Sequence, residues 1–392
     1  MLLYLFWFVA SVVVLFGTLS KDKKTQTQWM MFFMLALGLF IGLADMLGGY
    51  DRYIYAELFD SMADVTRAGG NPWRSYAYGF FRGEFGYGSL SALLSFLTSN
   101  RYIYILILTL IIYVLLFLSL KEYAENAPFA IVMFMGLWMF FTFTYLRQVL
   151  GCSIAWLSIR YILKRDFKRF LLVWFIAFSF HHSAVVFFPM YFVPIKKYSK
   201  NRIIILMIAA FLIGLTSIPQ NLFETYGEIE TERVSGETYA MDAGFRFAYL
   251  FEAGFFLFVI LYNYKLISRN RRDVVLLNMA LVFCAILLVF IRSENGGRLG
   301  WYYMLGVFCT LSNLCVQKKN ITVQGAGLIV VSLLLYSRIY IAWQNNMMGL
   351  YPYKTFLTDG SRKNDPIREK YEYDDRYEID KFYRPALWFM KE

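Results

Sequence analysis

Long apolar segments alternate with short polar ones along this chain, and the alternation limits it to a membrane architecture. About ten segments of roughly twenty apolar residues lie between Met1 and Trp343. A helix of that length crosses a hydrocarbon core of ~30 Å, and inside a bilayer the backbone polar groups must be paired within the chain. We therefore predict an all-α fold for residues 1–343, a polytopic transmembrane helix bundle with about ten full spans.

The composition supports this class and excludes others. Hydrophobic residues make up 59% of the chain and charged residues 17%, whereas a soluble domain carries about 25% charged residues. Most of the net charge of +11 lies in short loops, where it sets topology, so it does not indicate a nucleic-acid partner. The four cysteines lie in apolar segments without metal-site or disulfide spacing. Because neither a P-loop nor a dinucleotide fingerprint is present, no cofactor is expected.

The sign of the loop charges predicts the orientation of the bundle. The loop "KDKKTQTQ" (21–28) carries three lysines, and the positive-inside rule places it in the cytoplasm. The acidic cluster between Glu224 and Asp242 then falls outside. Applied along the chain, the rule places both termini outside the cytoplasm, with an outer segment at 46–100 and an extracytoplasmic tail at 344–392.

One apolar stretch, 170–195, does not fit the alternation. Basic residues flank both of its ends, so both ends belong in the cytoplasm, yet two full spans need about forty residues. His181–Ser183 occupy its middle. We predict a re-entrant helical hairpin that breaks there, since irregular backbone at depth is tolerated only where protein buries it or where it lines a wet cavity.

Several candidate site residues fall in the predicted outer segment. Asp51 and Tyr55 lie one helical turn apart, as expected for a carboxylate at a sugar-binding mouth or, alternatively, for a solvated loop. Glu84 and Tyr87 stand just before a short apolar run. We predict that Asp51 is catalytic and that Tyr55, Glu84 and Tyr87 bind substrate.

Arg147 and Gln148 stand at the outer start of the predicted fifth span. Arginine is costly near hydrocarbon, and its guanidinium suits bidentate contacts to phosphate. The alternative is an arginine that extends to the membrane interface without further function. We predict Arg147 as a catalytic cation and Gln148 as its substrate-binding neighbour.

His181 and His182 are the two histidines of the chain. A single histidine on an apolar face is usually a satisfied core residue, whereas two at the tip of a broken hairpin favour a functional role. Such a ring can act as a base near neutral pH or donate a hydrogen bond to a diphosphate or sugar. Adjacent histidines without a neighbouring carboxylate in the sequence make poor metal ligands, so no metal site is predicted. His181 is predicted as catalytic and His182 as substrate-binding.

Three further arginines lie at predicted outer ends of spans. Arg292 and Arg298 bracket Gly296 and Gly297, whose backbone N–H groups can approach an anion closely; the alternative is a short loop closed by a salt bridge. We predict Arg298 as catalytic. Substrate binding is predicted for the remaining candidates at these ends, which are Arg246, Arg292 and Tyr302.

Five motifs occur in a fixed order along the chain: "YDRYIYAELF", "EFGYGSL", "YLRQVLG", "FHHSAVVFFPMYF" and "GGRLGWYYML". Together they resemble the EpsG family, a branch of the Wzy-type polysaccharide polymerases, over about residues 1–357. The resemblance implies a GT-C-like membrane glycosyltransferase that needs no metal. It also implies the substrate, oligosaccharide repeat units on undecaprenyl diphosphate, joined at the outer face of the bacterial inner membrane into O-antigen, exopolysaccharide or capsule. Membrane lipid, a flippase and chain-length regulators are the partners it implies.

The resemblance also assigns positions. The family's Arg-Gln at a span start corresponds to Arg147 and Gln148, and its late arginine to Arg298. Its Phe-His-x-Ser motif and its early acidic motif correspond to Phe180, His181 and Ser183, and to Asp51 and Tyr55. The chain departs from the family in the early motif, where Gly49-Tyr50 stands in place of a frequent Gly-Thr pair.

The implied mechanism centres on the charge that develops on a diphosphate leaving group. Arg147, Arg298 and either Arg246 or Arg292 would stabilise it, while His181 or Asp51 would orient or deprotonate the acceptor hydroxyl.

Two alternatives stay open. A flippase or other transporter of lipid-linked oligosaccharides suits broken helices and intramembrane charges, although no internal repeat is evident. A GT-C enzyme that uses a polyprenyl-phosphate sugar relies on acidic residues in its first outer loop, where Asp51, Glu57 and Asp60 stand.

Overall fold

The computed structural model describes residues 2–44, 49–219, 221, 244–293, 296–317, 319–344, 350, 353–355, 357 and 384–387. In this part of the chain 16 α-helices form the fold. In chain order they are α1 (Leu2–Thr18), α2 (Lys23–Leu43), α3 (Tyr50–Arg67), α4 (Tyr76–Phe80), α5 (Phe85–Ser95), α6 (Arg101–Tyr123), α7 (Ala127–Leu137), α8 (Phe141–Thr144), α9 (Leu146–Leu157), α10 (Ile159–Lys164), α11 (Phe167–Phe180), α12 (Lys200–Gly214), α13 (Phe247–Tyr262), α14 (Arg271–Val289), α15 (Met304–Cys315) and α16 (Val323–Gln344).

Shorter elements connect these helices. The 3₁₀ helices are Pro72–Arg74, His182–Tyr191, Tyr264–Leu266 and Gly296–Tyr303. Strands β1 (Val316–Gln317) and β2 (Asn320–Ile321) form a small antiparallel hairpin in which Val316 pairs with Ile321.

The predicted all-α membrane bundle is confirmed. Among the described residues, four helices are long and apolar enough to cross a bilayer: α2, α6, α14 and the stretch Val323–Trp343 of α16. The shorter apolar helices α1, α7 and α13 pack beside them. The count of about ten spans and the division into an outer segment, a re-entrant hairpin and a tail stay predictions.

Polar side chains cap the N-termini of several helices. The side-chain oxygen of Asn100 accepts from the backbone N–H of Tyr102 at the start of α6, and Asp166 accepts from Arg169 at the start of α11. Asn270 does the same for α14. These caps pair backbone donors that the first helical turn leaves open.

α7 lies at the centre of the bundle. All of its residues are buried, and it packs against α1, α2, α15 and α16. The outer surface is apolar as well, with exposed side chains that include Phe6, Phe32, Leu206 and Leu334. An apolar surface of this kind is the one that lipid chains would cover.

Two predicted spans are interrupted. The fourth, predicted over Pro128–Thr144, is divided into α7 and α8, with a break over 138–140. The fifth, predicted over Arg147–Leu163, is divided into α9 and α10, with a break at Ser158. A further break at Tyr145 separates α8 from α9 and places Arg147 in the first turn of α9.

α11 and the 3₁₀ helix His182–Tyr191 pack against each other and join at His181, whose backbone is extended. The predicted break therefore coincides with a change of helix type. Arg165 donates hydrogen bonds to the carbonyl oxygens of Tyr191 and Val193, at 2.6 and 3.2 Å. The chain thus enters and leaves this hairpin at one end, and His181 lies at the other.

The predicted acidic loop between Glu224 and Asp242 lies outside the described residues, as does most of the tail. Residues 384–387 of the tail contact the outer segment. The amide nitrogen Nδ2 of Asn100 donates to the Arg384 carbonyl oxygen at 2.7 Å, and the Arg384 guanidinium donates to the carboxylate of Asp64 at 2.7 Å.

Candidate active site

The site is organised around an ion pair between Arg147, in the first turn of α9, and Glu84, the residue that precedes α5. The two side chains are 17% and 3% exposed. Solvent screens such a covered pair much less than a surface pair, and removing one partner would leave the other charge buried. Glu84 therefore fixes where the Arg147 guanidinium lies.

Glu84 also contacts the tip of the hairpin. The backbone N–H of His182 donates to Glu84 Oε1 at 3.3 Å, and His182 Nε2 lies 3.6 Å from the same oxygen. His181 Nδ1 lies 3.9 Å from it. One carboxylate thus joins α5, α9 and the hairpin, and it brings Arg147 and both histidines together.

The hydrogen bonds of His181 assign its tautomer. Nδ1 accepts from the backbone N–H of Ser183 at 3.2 Å and lies 2.7 Å from Ser183 Oγ. Because a backbone N–H can only donate, Nδ1 carries a lone pair, and the neutral ring holds its proton on Nε2. Ser183 Oγ is in turn 2.9 Å from the hydroxyl of Tyr302. His181 therefore presents an N–H donor at Nε2.

Arg298 is held by Gln148 and by two aromatic rings. Its Nε donates to Gln148 Oε1 at 3.1 Å, and Gln148 Nε2 donates to the Arg298 carbonyl oxygen at 3.1 Å. The Arg298 guanidinium carbon lies 4.1 Å from the ring centre of Tyr145 and 5.6 Å from that of Trp301. These contacts fix a second cation by hydrogen bonding and cation–π attraction.

Asp51 lies in the first turn of α3, close to both arginines. A Cβ placed on Gly49 would lie 2.5 Å from Thr144 Cβ, so the start of α3 lies directly against the end of α8. The Tyr55 hydroxyl donates to Asp51 Oδ2 at 3.4 Å, and the Arg147 guanidinium carbon lies 5.0 Å from the Tyr55 ring centre. Burial raises the pKa of the Asp51 carboxyl, while the positive charges of Arg298 and Arg147 oppose that rise.

Two tyrosines of the site, Tyr55 and Tyr87, keep their phenolic protons. Burial raises the pKa of Tyr55 and of Tyr87 above the usual range for a phenol. Tyr87 and Tyr302 are fully buried, and Tyr87 accepts a hydrogen bond from the Tyr104 hydroxyl at 3.0 Å. In this structure both rings contact protein neighbours; their binding to substrate stays a prediction.

Arg246 and Arg292 each donate a hydrogen bond to a backbone carbonyl group. The backbone N–H of Arg246 donates to the Ile291 carbonyl oxygen at 2.8 Å. The exposed Arg292 side chain donates to the Leu215 carbonyl oxygen at 3.4 Å. The structure thus brings together Asp51, Tyr55, Glu84, Arg147, Gln148, His181, His182, Arg298 and Tyr302.

Two rings that contact the Arg298 guanidinium, Tyr145 and Trp301, were not predicted as site residues. Tyr145 lies close in sequence to Arg147, and Trp301 lies close to Arg298. This closeness was the one feature of the sequence that could have indicated them. Within the described residues, no group of three or more His, Cys, Asp or Glu side chains is placed to hold a metal ion.

Gly86 allows α5 to approach the hairpin closely. A Cβ placed there would lie 2.3 Å from Ser179 Oγ and 3.0 Å from the Ser179 carbonyl oxygen. We expect Gly86→Ala to push Glu84 away from His182 and to cost about 1–3 kcal/mol of stability, as overpacked sites do. The unfolding temperature in detergent measures this.

Gly79→Ala is the matched control, because a Cβ at Gly79 meets nothing within 4 Å. If both alanine variants unfold at the wild-type temperature, the close approach of α5 to the hairpin is wrong.

Comparison with known proteins gives one match. No curated protein and no solved structure matches the chain. The model of the EpsG family matches residues 3–355, which is nearly the whole chain. The protein therefore belongs to the EpsG family and is a membrane-embedded glycosyltransferase of the polysaccharide polymerase type.

Proposed function

We propose that the protein joins oligosaccharide repeat units carried on undecaprenyl diphosphate at the outer face of the inner membrane, with both of its termini on that side. The convergence of two arginines, an aspartate and a histidine in one site carries the proposal. The donor is the growing chain on its lipid diphosphate, and the acceptor is a hydroxyl of a new lipid-linked unit.

The two arginines would bind the diphosphate of the donor. A guanidinium has five N–H donors in a planar fork that matches phosphate oxygens. Among the described residues, the buried Nε–H of Arg147 meets no acceptor, so a phosphate oxygen would satisfy it. Charge that develops on the leaving group is stabilised more strongly in this covered site than in water.

The transfer step needs one bond formed, one broken and one proton moved. The acceptor oxygen bonds to the anomeric carbon, and the bond from that carbon to the diphosphate oxygen breaks, leaving its electron pair on the diphosphate. The hydroxyl proton passes to Asp51, because burial raises the pKa of this carboxyl and makes it a better base than an exposed aspartate. His181 donates a hydrogen bond from Nε2 to a substrate oxygen.

Reconstitution tests the proposal. Purified protein in liposomes, supplied with a lipid-linked repeat unit, is expected to give a ladder of longer lipid-linked products, and a metal chelator is expected to leave the ladder unchanged. A flippase would move the unit across the bilayer without lengthening it, and a GT-C enzyme would add one sugar from a polyprenyl-phosphate donor. Either of these results would overturn the proposal.

The tautomer of His181 predicts a difference between two substitutions. Gln places an N–H near the former Nε2, whereas Asn keeps an acceptor near the former Nδ1 and has no donor at the Nε2 position. We expect Asn to lose about 10²–10³-fold in rate, the range for a lost hydrogen-bond donor in an active site, and Gln to stay at least about tenfold more active than Asn. Initial rates of ladder formation measure both.

The assignment of His181 as an Nε2 donor fails if Gln and Asn lose activity equally. A more active Asn variant would show instead that the contact to Ser183 is the one that matters.

A further inference from the structure

A basic cavity lies at the end of the hairpin opposite His181. Its first lining residues come shortly after Tyr191, where the hairpin ends. The hairpin is about as long as α11, which measures about 20 Å at 1.5 Å per residue, and His181 lies at its far end. Its volume is about 640 Å³, and five of its lining residues are basic: Lys196, Lys197, Arg202, Lys265 and Arg269. Of the described residues that line it, none is acidic.

Direct contacts between two loops form the wall of this cavity. Lys197 Nζ donates to the carbonyl oxygens of Tyr264 and Ile267, at 2.8 and 2.5 Å, and lies 4.6 Å from the Tyr264 ring centre. The Tyr264 hydroxyl donates back to the Tyr198 carbonyl oxygen. Positive charges in loops can set membrane topology without contacts between the loops, so topology alone does not explain why these two loops pack together.

Like charges face one another across the cavity. Partial burial lowers the pKa of Lys197, and the positive charge of Arg269 lowers it further. Lys196, Arg202 and Lys265 are exposed there as well. Ser199 caps α12, so the positive end of that helix dipole adds to the field. An anion would relieve this repulsion.

Large exposed apolar residues lie close in sequence to the lining residues. Phe192, Tyr262 and Leu266 are 60%, 64% and 59% exposed. Leu266 lies in sequence between two lining residues, Lys265 and Ile267, and Tyr262 lies two residues before the lining residue Tyr264. A free phosphate would contact only the cations, whereas a phospholipid would place its phosphate among the cations and its acyl chains against these side chains.

We propose that this cavity binds the phosphate of an anionic phospholipid headgroup, with the acyl chains along Phe192, Tyr262 and Leu266. The bound lipid would bridge the loop 194–199 and the loop 263–270. It would thereby stabilise the end of the hairpin that lies opposite His181. The proposal is independent of the glycosyl transfer proposed above.

Native mass spectrometry of the purified full chain with phosphatidylglycerol or phosphatidylcholine tests this. We expect the wild type to retain phosphatidylglycerol preferentially, and the double variant Lys265→Gln/Arg269→Gln to retain about tenfold less, since basic residues each contribute to binding anionic lipid. Lys196→Gln/Arg202→Gln is a second pair on the other loop and should behave alike. The matched control is Lys168→Gln/Arg169→Gln, two exposed cations at the same end that do not line the cavity.

Thermal unfolding gives a separate measure. Phosphatidylglycerol should raise the unfolding temperature of the wild type and of the control, but not of the two cavity variants, and inorganic phosphate should raise none. Equal lipid retention by the cavity variants and the control would overturn the proposal. Equal stabilisation by inorganic phosphate would also overturn it, since the cavity would then be a site for free phosphate.

Discussion

Arg147→Lys is expected to reduce polymer synthesis by about 10²–10³-fold, the range for losing one donor to developing negative charge. Lysine keeps a positive charge beside Glu84, so the carboxylate remains paired and the variant should fold. What it loses is the planar fork of donors that can bind Glu84 and a phosphate at once. Rates of ladder formation at equal protein level measure the effect.

Arg298→Lys should give a loss of similar size, because the lysine lacks the Nε–H that Arg298 donates to Gln148. The control is Arg74→Lys, an exposed arginine of the outer segment, which should retain the wild-type rate. A wild-type rate for Arg147→Lys would show that the fork of Arg147 does not take part in the reaction.

The second large effect concerns stability. Arg101 and Asp60 form an ion pair whose side chains are 0% and 1% exposed. Arg101→Met would leave the Asp60 charge buried with a weaker partner, since the nearest Arg384 nitrogen is 3.8 Å away. Breaking such a pair costs about 3–5 kcal/mol, so we expect a clear fall in the unfolding temperature in detergent.

The double variant Asp60→Leu/Arg101→Met should recover most of that loss, because apolar pairs often replace buried ion pairs at little cost. Arg169→Met provides the control, since its bridge to Asp166 joins side chains that are 67% and 32% exposed and such pairs contribute about 0–1 kcal/mol. If Arg101→Met lowers the unfolding temperature no more than this control, the ion pair between Arg101 and Asp60 does not stabilise the fold.

The sequence was enough to predict the fold class, because segment length and charge sign depend on the bilayer more than on tertiary contacts. The breaks over 138–140 and at Ser158 were not predictable. Residues 138–140 and their neighbours are apolar, so hydropathy is continuous across that break, and a single serine within a predicted span does not indicate a break at 158. The positions of both breaks depend on how neighbouring helices pack.

The candidate site was predicted in part. Arg147, His181 and Arg298 lie far apart in sequence. In the structure Arg147 and His181 lie beside Glu84, and both arginines interact electrostatically with Asp51. Arginine near hydrocarbon was informative because it is costly there.

The partners of individual charges were not predictable. Glu84 was predicted to bind substrate, and the structure pairs it with Arg147. Arg52, which was not predicted as a site residue, is fully buried and donates to the carbonyl oxygens of Gly42 and Ala44 at the end of α2. A single sequence cannot distinguish an arginine that caps a helix from one that binds a ligand, since both roles use the same donors.

The most direct test is a structure of the protein with undecaprenyl diphosphate bound. We expect the diphosphate to lie between the guanidinium groups of Arg147 and Arg298, with oxygens within hydrogen-bonding distance of both and with Asp51 beside the position of the departing sugar. A diphosphate bound elsewhere, with neither guanidinium in contact with it, would show that these arginines do not form the diphosphate site.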